Sequence, residues 1–499
     1  MPFFEELGAK ITIFISNFVA RFGLAFNLFL CALVVALIVL SFVRTRRMSG
    51  KYTRKNQYRP LVDDKRISER AAKVLSEAVR IKTVTGDAQA VRDFIELIKH
   101  RYASALAKMS CLYMPQGGVL LHWRSYAAEK KPPVLLCGHI DVVPPGDGWA
   151  GDPFSGEIRD GMIYGRGSLD CKGPVVALLE AADELIKDGF APERDIYFAF
   201  GHDEETGGTN GAGVLSGLMT RRGLRFDMVL GEGSFIEKDH MGKNNFAAAL
   251  IGVGEKGSGN LRLTAEVKGG AAAAPRSQTA LGVLSEAVCR IEALRPKIHI
   301  LDEVRRYLSL SMEGMSLGKR WVVANLPLTR FLLSRAFRRD PETMALLRTT
   351  LAPTQAHAAP APNMLSEKAE ATINCRIIQG DNAEKLYADV SALLSDLPVT
   401  VAFDLLSKPS SISPAGGEMY DLLCSAVGEH FSGAQRIPTL LQGMTDCKYY
   451  EPLSDNVYRF TPITIGGRTK MTVHGKDEQI AVHKLGAAVG FYMTLMRKL

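Results

Sequence analysis

The chain has 499 residues, and its 61 lysines and arginines against 53 aspartates and glutamates give a formal net charge of +8. Apolar residues make up 46% and charged residues 23% of the sequence, a composition that excludes a disordered, collagen-like or disulfide-scaffold protein. The eight cysteines include no CxxC pair, which argues against a structural zinc finger, and the length predicts two or three domains.

The N-terminal region combines an apolar stretch with a basic one. Residues 23–43 carry no charge, and because about 20 apolar residues span a bilayer as a helix, we predict a transmembrane helix there, preceded by a short segment 1–22. A cleaved signal peptide is the alternative, but its charges would precede the apolar region. Residues 44–59 form a predicted basic linker with seven positive charges and no acid, at Arg44, Arg46, Arg47, Lys51, Arg54, Lys55 and Arg59.

The position of these charges decides between classes of partner. Residues 60–499 carry a net charge of only +1, so we predict no nucleic-acid partner, which would need basic residues spread over a folded surface. The excess of Lys and Arg behind the apolar stretch predicts a single-pass membrane protein whose C-terminal body faces the cytoplasm.

Beyond the linker, helical and strand patterns alternate. The predicted helices cover 74–84, 90–109 and 175–189, and the predicted buried strands cover 132–138, 195–201 and 226–231. This alternation predicts an α/β domain with a mostly parallel sheet and helices on both faces, built from residues 60–255 and 406–499. Alternating apolar and polar residues at 260–269 and 367–379 predict an inserted α+β domain over 256–405.

One segment of the predicted insertion, residues 319–339, is both basic and apolar. Such a helix can rest on a membrane surface. Because Pro327 interrupts the segment, we favour a helix that packs beneath the inserted domain.

Four short motifs place acidic and imidazole side chains at predicted strand ends and turns. They are CGHIDVVPPGDGW (137–149), YGRGSLDCKG (164–173), GHDEETGG (201–208) and TVHGKDE (472–478). The carboxyl ends of parallel strands meet at one edge of a sheet, and imidazole and carboxylate groups suit zinc or a similar divalent metal. The candidate residues are His139, Asp141, Asp170, Glu204, Glu205 and His474.

The spacing of these residues predicts a division of roles. In an extended His-x-Asp segment, residues i and i+2 point to the same side, so Asp141 can orient the ring of His139. The adjacent Glu204 and Glu205 point in different directions, so one can bind a metal while the other acts as a general base. Asp170, in a glycine-rich turn, can bridge two closely spaced metal ions.

The blocks HIDVVP, GRGSLD and DEETGG, with GWAGDPFSG between the first two, resemble those of the dinuclear-zinc aminoacylase and carboxypeptidase family. Residues 65–499 most resemble its carboxypeptidase S-like branch, which includes the N-fatty-acyl-amino-acid synthase/hydrolases. The resemblance implies a zinc-binding α/β domain interrupted by an α+β lid that often dimerises, hence a possible homodimer. It also implies two divalent metal ions, preferably Zn²⁺, and a small peptide or N-acyl amino acid as substrate.

The resemblance also assigns roles by position. The matches to family metal ligands are His139, Asp170 as the bridge, Glu205 and His474. Glu204 matches the general base, and Asp141 matches the carboxylate that orients the histidine. Asn363 and Arg376 match lid residues that bind the substrate's carbonyl and carboxylate. The implied reaction is hydrolysis of an amide or peptide bond next to an amino acid with a free carboxylate.

Several positions depart from the family pattern. The usual acidic fifth ligand falls at Gly231, and the adjacent Glu232 is either its replacement or a structural residue, two alternatives that the sequence leaves open. Ala271 stands where the lid carries an oxyanion-stabilising histidine, and loss of one such donor typically costs about 10²–10³ in turnover. Cys171 and Lys448 occupy positions that are commonly aspartate and arginine.

These departures leave two hypotheses. We favour an active metal-dependent amidohydrolase or carboxypeptidase, because the ligands and the base serve no obvious folding purpose. The alternative is a non-catalytic homologue that binds a peptide or an N-acyl amino acid.

Overall fold

The first element is a long N-terminal helix. The computed structural model describes residues 2–52, 58–60, 64–129, 131–466 and 472–499, and helix α1 spans Pro2–Tyr52. The first described part of the predicted basic linker, residues 44–52, therefore continues the helix, because arginine and lysine are good helix formers and no proline interrupts them, whereas Arg59 lies in strand β1 (Arg59–Pro60). Arg54 and Lys55 lie outside the described residues.

The remaining described elements follow in chain order. The helices are α2 (Lys65–Arg80), α3 (Ala88–Arg101), α4 (Ala103–Leu106), α5 (Lys172–Lys187), α6 (Ala212–Arg221), α7 (Ala280–Ala293), α8 (Asp302–Leu310), α9 (Leu317–Ala324), α10 (Leu326–Thr329), α11 (Leu333–Phe337), α12 (Pro341–Ala345), α13 (Ala383–Leu393), α14 (Glu418–His430), α15 (Cys447–Tyr450) and α16 (Val482–Lys498). The strands are β1 (Arg59–Pro60), β2 (Ser110–Tyr113), β3 (Val119–Trp123), β4 (Lys131–His139), β5 (Ile158–Arg159), β6 (Met162–Tyr164), β7 (Arg194–Gly201), β8 (Met228–Glu237), β9 (Ala248–Glu255), β10 (Gly257–Glu266), β11 (Gly270–Ala271), β12 (Thr350–His357), β13 (Met364–Leu365), β14 (Lys368–Ile377), β15 (Val399–Ser407), β16 (Phe431–Ser432), β17 (Gln435–Leu441), β18 (Val457–Ile465) and β19 (Gln479–Ala481).

The largest sheet has eight strands in the order β17-β9-β18-β8-β4-β7-β3-β2. Strands β18, β8, β4 and β7 run parallel, whereas β3 and β2 continue the sheet antiparallel. In β4, Val134 and Leu136 belong to one apolar core and Leu135 and Cys137 to another, so both faces of the strand are buried. The predicted α/β architecture with a mostly parallel sheet and helices on both faces is confirmed.

Local capping explains where the first helices of this domain begin. The Asp64 side chain accepts hydrogen bonds from the backbone N–H groups of Arg66 and Ile67, and the Asp87 side chain accepts two at the start of α3. Because an N-cap carboxylate satisfies amides that the helix itself leaves unpaired, α2 begins at Lys65. It begins earlier than the pattern predicts and also ends earlier, at Arg80.

A second sheet with its own core lies within the predicted insertion. It has four antiparallel strands in the order β12-β14-β10-β15. Helices α7 and α13 cover one face and form a separate apolar cluster with it. We call this unit the lid.

Helices α8 to α12 lie between the lid strands in sequence but not in space. Their buried side chains, such as Leu308, Val323 and Phe337, belong to the core of the eight-stranded sheet, and α8 packs on β17 at one edge of that sheet. Residues 319–339 therefore do not form the helix beneath the lid that we favoured. They fold into parts of three short α-helices, α9 to α11, with a 3-10 turn at Arg330–Leu332, because Pro327 lacks the N–H that a continuous helix needs.

Candidate active site

Two of the four motifs meet because their strands, β4 and β7, are neighbours in the large sheet. His139 ends β4 directly beside Gly201, the last residue of β7. A short 3-10 helix, Glu204–Thr206, follows β7, and β8 carries Glu232 along the other side of β4. Residues far apart in sequence thus converge at the carboxyl edge of the parallel strands, as expected for an α/β sheet.

Asp170 lies between two histidines. Its Oδ1 is 3.1 Å from Nε2 of His139, and its Oδ2 is 3.0 Å from Nε2 of His474. Burial acts to raise the pKa of Asp170, but hydrogen bonds from the two imidazoles hold it well below its ordinary value. One carboxylate that presents an oxygen to each histidine has the geometry of a bridging ligand.

Asp141 connects the His139 ring to the glutamate turn. Nδ1 of His139 donates to the backbone oxygen of Asp141 at 3.0 Å, which leaves Nε2 as the atom that faces Asp170. The fully buried Asp141 carboxylate accepts hydrogen bonds from the backbone N–H groups of Glu204 and Glu205 and from the hydroxyl of Thr85. Asp141 thus fixes both the tautomer of the ring and the position of the turn.

Glu204 and Glu205 present their carboxylates differently. Oε2 of Glu205 lies 3.3 Å from Nε2 of His474, and its buried Oε1 has no hydrogen-bond partner in the described part of the chain. Burial raises the pKa of Glu204 well above its ordinary value; the imidazole of His139 opposes this shift and the carboxylate of Glu232 adds to it.

Glu232, rather than position 231, faces the site. Its Oε2 lies 3.3 Å from Nε2 of His139, and its side chain is 13% exposed. A Cβ atom at Gly231 would overlap Sγ of Cys447 and lie 3.0 Å from Sγ of Cys137, so these two sulfurs fill the space that a side chain would need. The geometry favours the first of the two alternatives for Glu232, that of a replacement ligand.

A buried ion pair holds the Asp170 turn in place. Oε2 of Glu478 accepts from Arg166 at 2.6 Å and from the backbone N–H of Gly167, while Oε1 accepts from the N–H groups of Leu169 and Asp170. Sequence reasoning missed both members of the pair, although Arg166 lies within GRGSLD and Glu478 ends TVHGKDE.

A second acid that sequence reasoning missed is Asp446, which is 4% exposed and has no hydrogen-bond partner for either carboxylate oxygen among the described residues. Burial raises its pKa well above the ordinary value, an effect that His139 opposes and Glu232 reinforces. Its position within MTDCK, beside the departure at Lys448, was the available signal. The Cys171 thiol also lines this region, grouped with His139, Asp170 and Glu232.

The two predicted lid residues lie far apart. Arg376 is on β14 near the first domain, where its Nη1 is buried without a hydrogen-bond partner among the described residues. Burial lowers its pKa, and the carboxylates of Glu204 and Glu255 oppose that shift. Asn363 is exposed beyond the other end of β14, which is about 27 Å long between Lys368 and Arg376. Its backbone oxygen accepts from Ala272, next to Ala271.

The chemistry of the donors fits divalent cations. Three overlapping sets place ligand atoms within 4.8 Å of one another: His139 with Asp170, Cys171 and Glu232; His139 with Glu204 and Glu205; and Asp170 with Glu205 and His474. Concentrated negative charge with no lysine or arginine paired to it in the described residues is costly when buried. Bound cations would relieve that cost, and histidine nitrogen with carboxylate oxygen is a donor set that zinc accepts.

In this site two histidines contact the carboxylate of Asp170, and Glu204 lies beside His139. This arrangement is that of a metal-dependent hydrolase. In agreement, residues 135–498 match the family model described as Peptidase family M20/M25/M40. The chain belongs to this family.

Curated relatives and solved structures support the assignment. The chain is 32% identical over 409 residues to the probable carboxypeptidase S-like 2 of Dictyostelium discoideum, covering 81% of this chain and 78% of the relative. It is 31% identical over 481 residues to the mouse N-fatty-acyl-amino acid synthase/hydrolase PM20D1, covering 91% and 93%. The M20 family metallo-carboxypeptidase Sso-CP2 of Sulfolobus solfataricus shares the fold, with a TM-score of 0.65, 14% identity, and coverage of 86% of this chain and 98% of that one.

Proposed function

We propose that the protein is a membrane-anchored, zinc-dependent hydrolase of an amide or peptide bond next to an amino acid with a free carboxylate. The observation that carries this proposal is Asp170, whose two oxygens face His139 and His474 at 3.1 and 3.0 Å. The relatives support the substrate class, because their names describe carboxypeptidases and an N-fatty-acyl-amino acid synthase/hydrolase.

We assign the metal ligands by position around Asp170. His139 and Glu232 would hold one divalent cation, His474 and Glu205 the second, and Asp170 would bridge them. Such cations supply Lewis-acid activation of the carbonyl and of the attacking water.

Two further residues would serve in proton transfer and in substrate binding. Glu204 projects from the turn that Asp141 fixes, so its free carboxylate can take a proton from the attacking water and pass it to the leaving amine. Arg376 has an unpaired Nη1 near Glu204, so it can bind the substrate's carboxylate through a charge-assisted hydrogen bond.

Glu204→Gln tests this assignment. We expect turnover of N-acyl amino acids and C-terminal dipeptides to be abolished while the bound zinc, measured by mass spectrometry, stays at the wild-type level. Glu193→Gln, at an exposed glutamate paired with Lys131, is the matched control and should retain activity. An active Glu204→Gln variant would remove this residue from its role as the base.

The non-catalytic alternative is favoured by one observation, the alanine at position 271 where the family resemblance places a histidine. Metal analysis of the purified wild-type chain, together with the same substrate panel, separates the two functions. A protein that contains no divalent metal and hydrolyses none of the substrates would contradict the enzyme hypothesis.

The position of Asn363 bears on whether the protein forms a homodimer. Because it lies at the end of the lid remote from Arg376, we infer that it could reach an active site only from a second copy of the chain. A homodimer through the lid would meet this requirement. Sedimentation at several protein concentrations tests it, and a monomer that retains full activity would refute it.

Contacts of α1 with the folded body support an anchor rather than a cleaved signal. Phe26–Lys51 is long and apolar enough to cross a membrane, and 6% of its most apolar window is buried. The end of this helix forms hydrogen bonds with Trp321 and Asn325, contacts that a cleaved peptide would not provide. We propose that the body faces the cytoplasm, because the basic residues follow the apolar span. In sealed right-side-out vesicles, external protease should leave the body intact.

A further inference from the structure

The helical segment 317–337 has two different sides. Val323, Leu333 and Phe337 are at most 2% exposed and pack in the main core. On the other side, Leu328 and Phe331 are 67% and 75% exposed. Large apolar side chains at this exposure are costly in water, and their position in the fold indicates what covers them.

The segment is tied directly to the end of α1. Nε1 of Trp321 donates to Oγ of Ser41 at 3.0 Å, and Nδ2 of Asn325 donates to the backbone oxygen of Ser41 and to Oγ1 of Thr45 at 3.3 and 3.2 Å. Ser41 and Thr45 are each 8% exposed. These contacts fix the height of the segment along α1.

That height corresponds to the headgroup layer of a bilayer. The uncharged stretch ends at Val43, and at about 1.5 Å per residue Met48 lies about 7.5 Å beyond it. The headgroup layer on each side of a bilayer is about 5–7.5 Å thick. Arg44 and Met48 line a cavity of about 1010 Å³ together with Arg330 and Phe331, so these side chains share that depth.

The charge on this side complements an anionic surface. The cavity also contains Lys297 and Arg305, and none of its lining residues is acidic. Within the segment, Arg330 and Arg335 form no ion pair with the described part of the chain, and neither do Arg338 and Arg339 just beyond it.

We propose that α9–α11 lie on the anionic phospholipid surface of the membrane that α1 enters, with Leu328 and Phe331 inserted at the interface and the arginines at the headgroup phosphates. The proposal rests on the membrane anchoring proposed above and adds a second attachment. Because α8 connects the segment to β17, two attachments would hold the catalytic sheet at a fixed angle to the membrane.

Site-specific photocrosslinking of the full chain in lipid nanodiscs tests this proposal. Phe331 is replaced by the photoreactive analogue p-benzoylphenylalanine in discs of phosphatidylcholine with or without phosphatidylserine, and lipid adducts are detected by mass spectrometry. We expect an adduct at 331 whose yield increases with phosphatidylserine. Arg330→Gln should remove most of that increase, since each arginine near an anionic surface favours the attached state by about fivefold.

Two control positions make the outcome specific. Tyr126 is 83% exposed and follows β3, six strand positions or about 29 Å from β17 across the sheet; the analogue there should give no lipid adduct. Phe29 lies within the predicted span and is 65% exposed, so an adduct there reports anchoring alone. Adducts at 29 without adducts at 331 overturn the second attachment but preserve the anchor. Their absence at both positions overturns both proposals, and a covalent dimer through 331 would assign the surface to a second copy of the chain.

Discussion

Replacement of Glu478 by glutamine tests a residue that supports the candidate metal site without being one of its ligands. Each Glu478 oxygen accepts two hydrogen bonds, one pair from Leu169 and Asp170 and the other from Arg166 and Gly167. Glutamine keeps one oxygen and turns an NH₂ group toward two donors, so two charge-assisted bonds are lost. At about 1.5–3 kcal/mol each, the two lost bonds predict a loss of unfolding free energy of about 3–6 kcal/mol, a range that includes the cost of about 3–5 kcal/mol for breaking a buried ion pair.

The same change should weaken metal binding, because the Asp170 turn loses two of its anchors. Groups that orient a metal ligand are typically worth about 10–100-fold in affinity. We would measure urea unfolding of the detergent-solubilised chain and zinc affinity by chelator competition. The matched control is Glu451→Gln, which removes an acid that Arg459 contacts at 2.8 Å but that forms no hydrogen bond with the Asp170 turn.

The two variants should differ in one measurement only. Both should lose stability, whereas zinc affinity should fall only in Glu478→Gln. If zinc affinity is equal in the two variants, Glu478 contributes to folding alone, and its assignment as a positioning residue is wrong.

Three further predictions follow from particular contacts. Gly231→Asp should lower the free energy of unfolding by about 1–3 kcal/mol, because the new side chain overpacks against Cys447 and Cys137, and zinc affinity should not rise. Gly231→Asp combined with Cys447→Ala should recover part of the lost stability. A stable single variant with tighter zinc binding would refute the packing argument. Burial lowers the pKa of Lys256 to about 7 in the folded chain, well below 10.5, so the unfolded chain binds more protons above pH 7. The free energy of unfolding should therefore rise with pH by up to about 1.4 kcal/mol per pH unit. Urea midpoints at pH 7, 8 and 9 should show a smaller slope for Lys256→Met, and an equal slope would contradict the shift. Asn325→Leu removes the hydrogen bonds to Ser41 and Thr45. Hydrogen exchange of the backbone amides around residues 41–48 should accelerate by about tenfold, as expected for the loss of about 1–1.5 kcal/mol. The control variant Asn374→Leu, in the lid, should leave the exchange rate of these amides unchanged.

The sequence alone predicted the fold class, and it named most of the residues that the structure brings together in the candidate site. Apolar runs defined the central strands, and β7 begins and ends within one residue of its prediction. The motif residues were identifiable because each lies at a strand end or a turn, where a parallel sheet brings the chain to one edge. This convergence requires only the strand order and no details of side-chain packing.

Other features depend on contacts between distant residues, and only the tertiary structure decided them. The sequence left the role of Glu232 open, since a neighbour in a strand normally points to the opposite face. In the structure, the sulfurs of Cys137 and Cys447 fill the space at Gly231, and the Glu232 carboxylate lies beside His139. Likewise, residues 319–339 pack with the main core and α1 rather than beneath the lid, because Ser41 and Thr45 meet Trp321 and Asn325 across some 280 residues of chain. Local patterns determine which elements form and which face is apolar, whereas the partner of that face depends on how the whole chain packs.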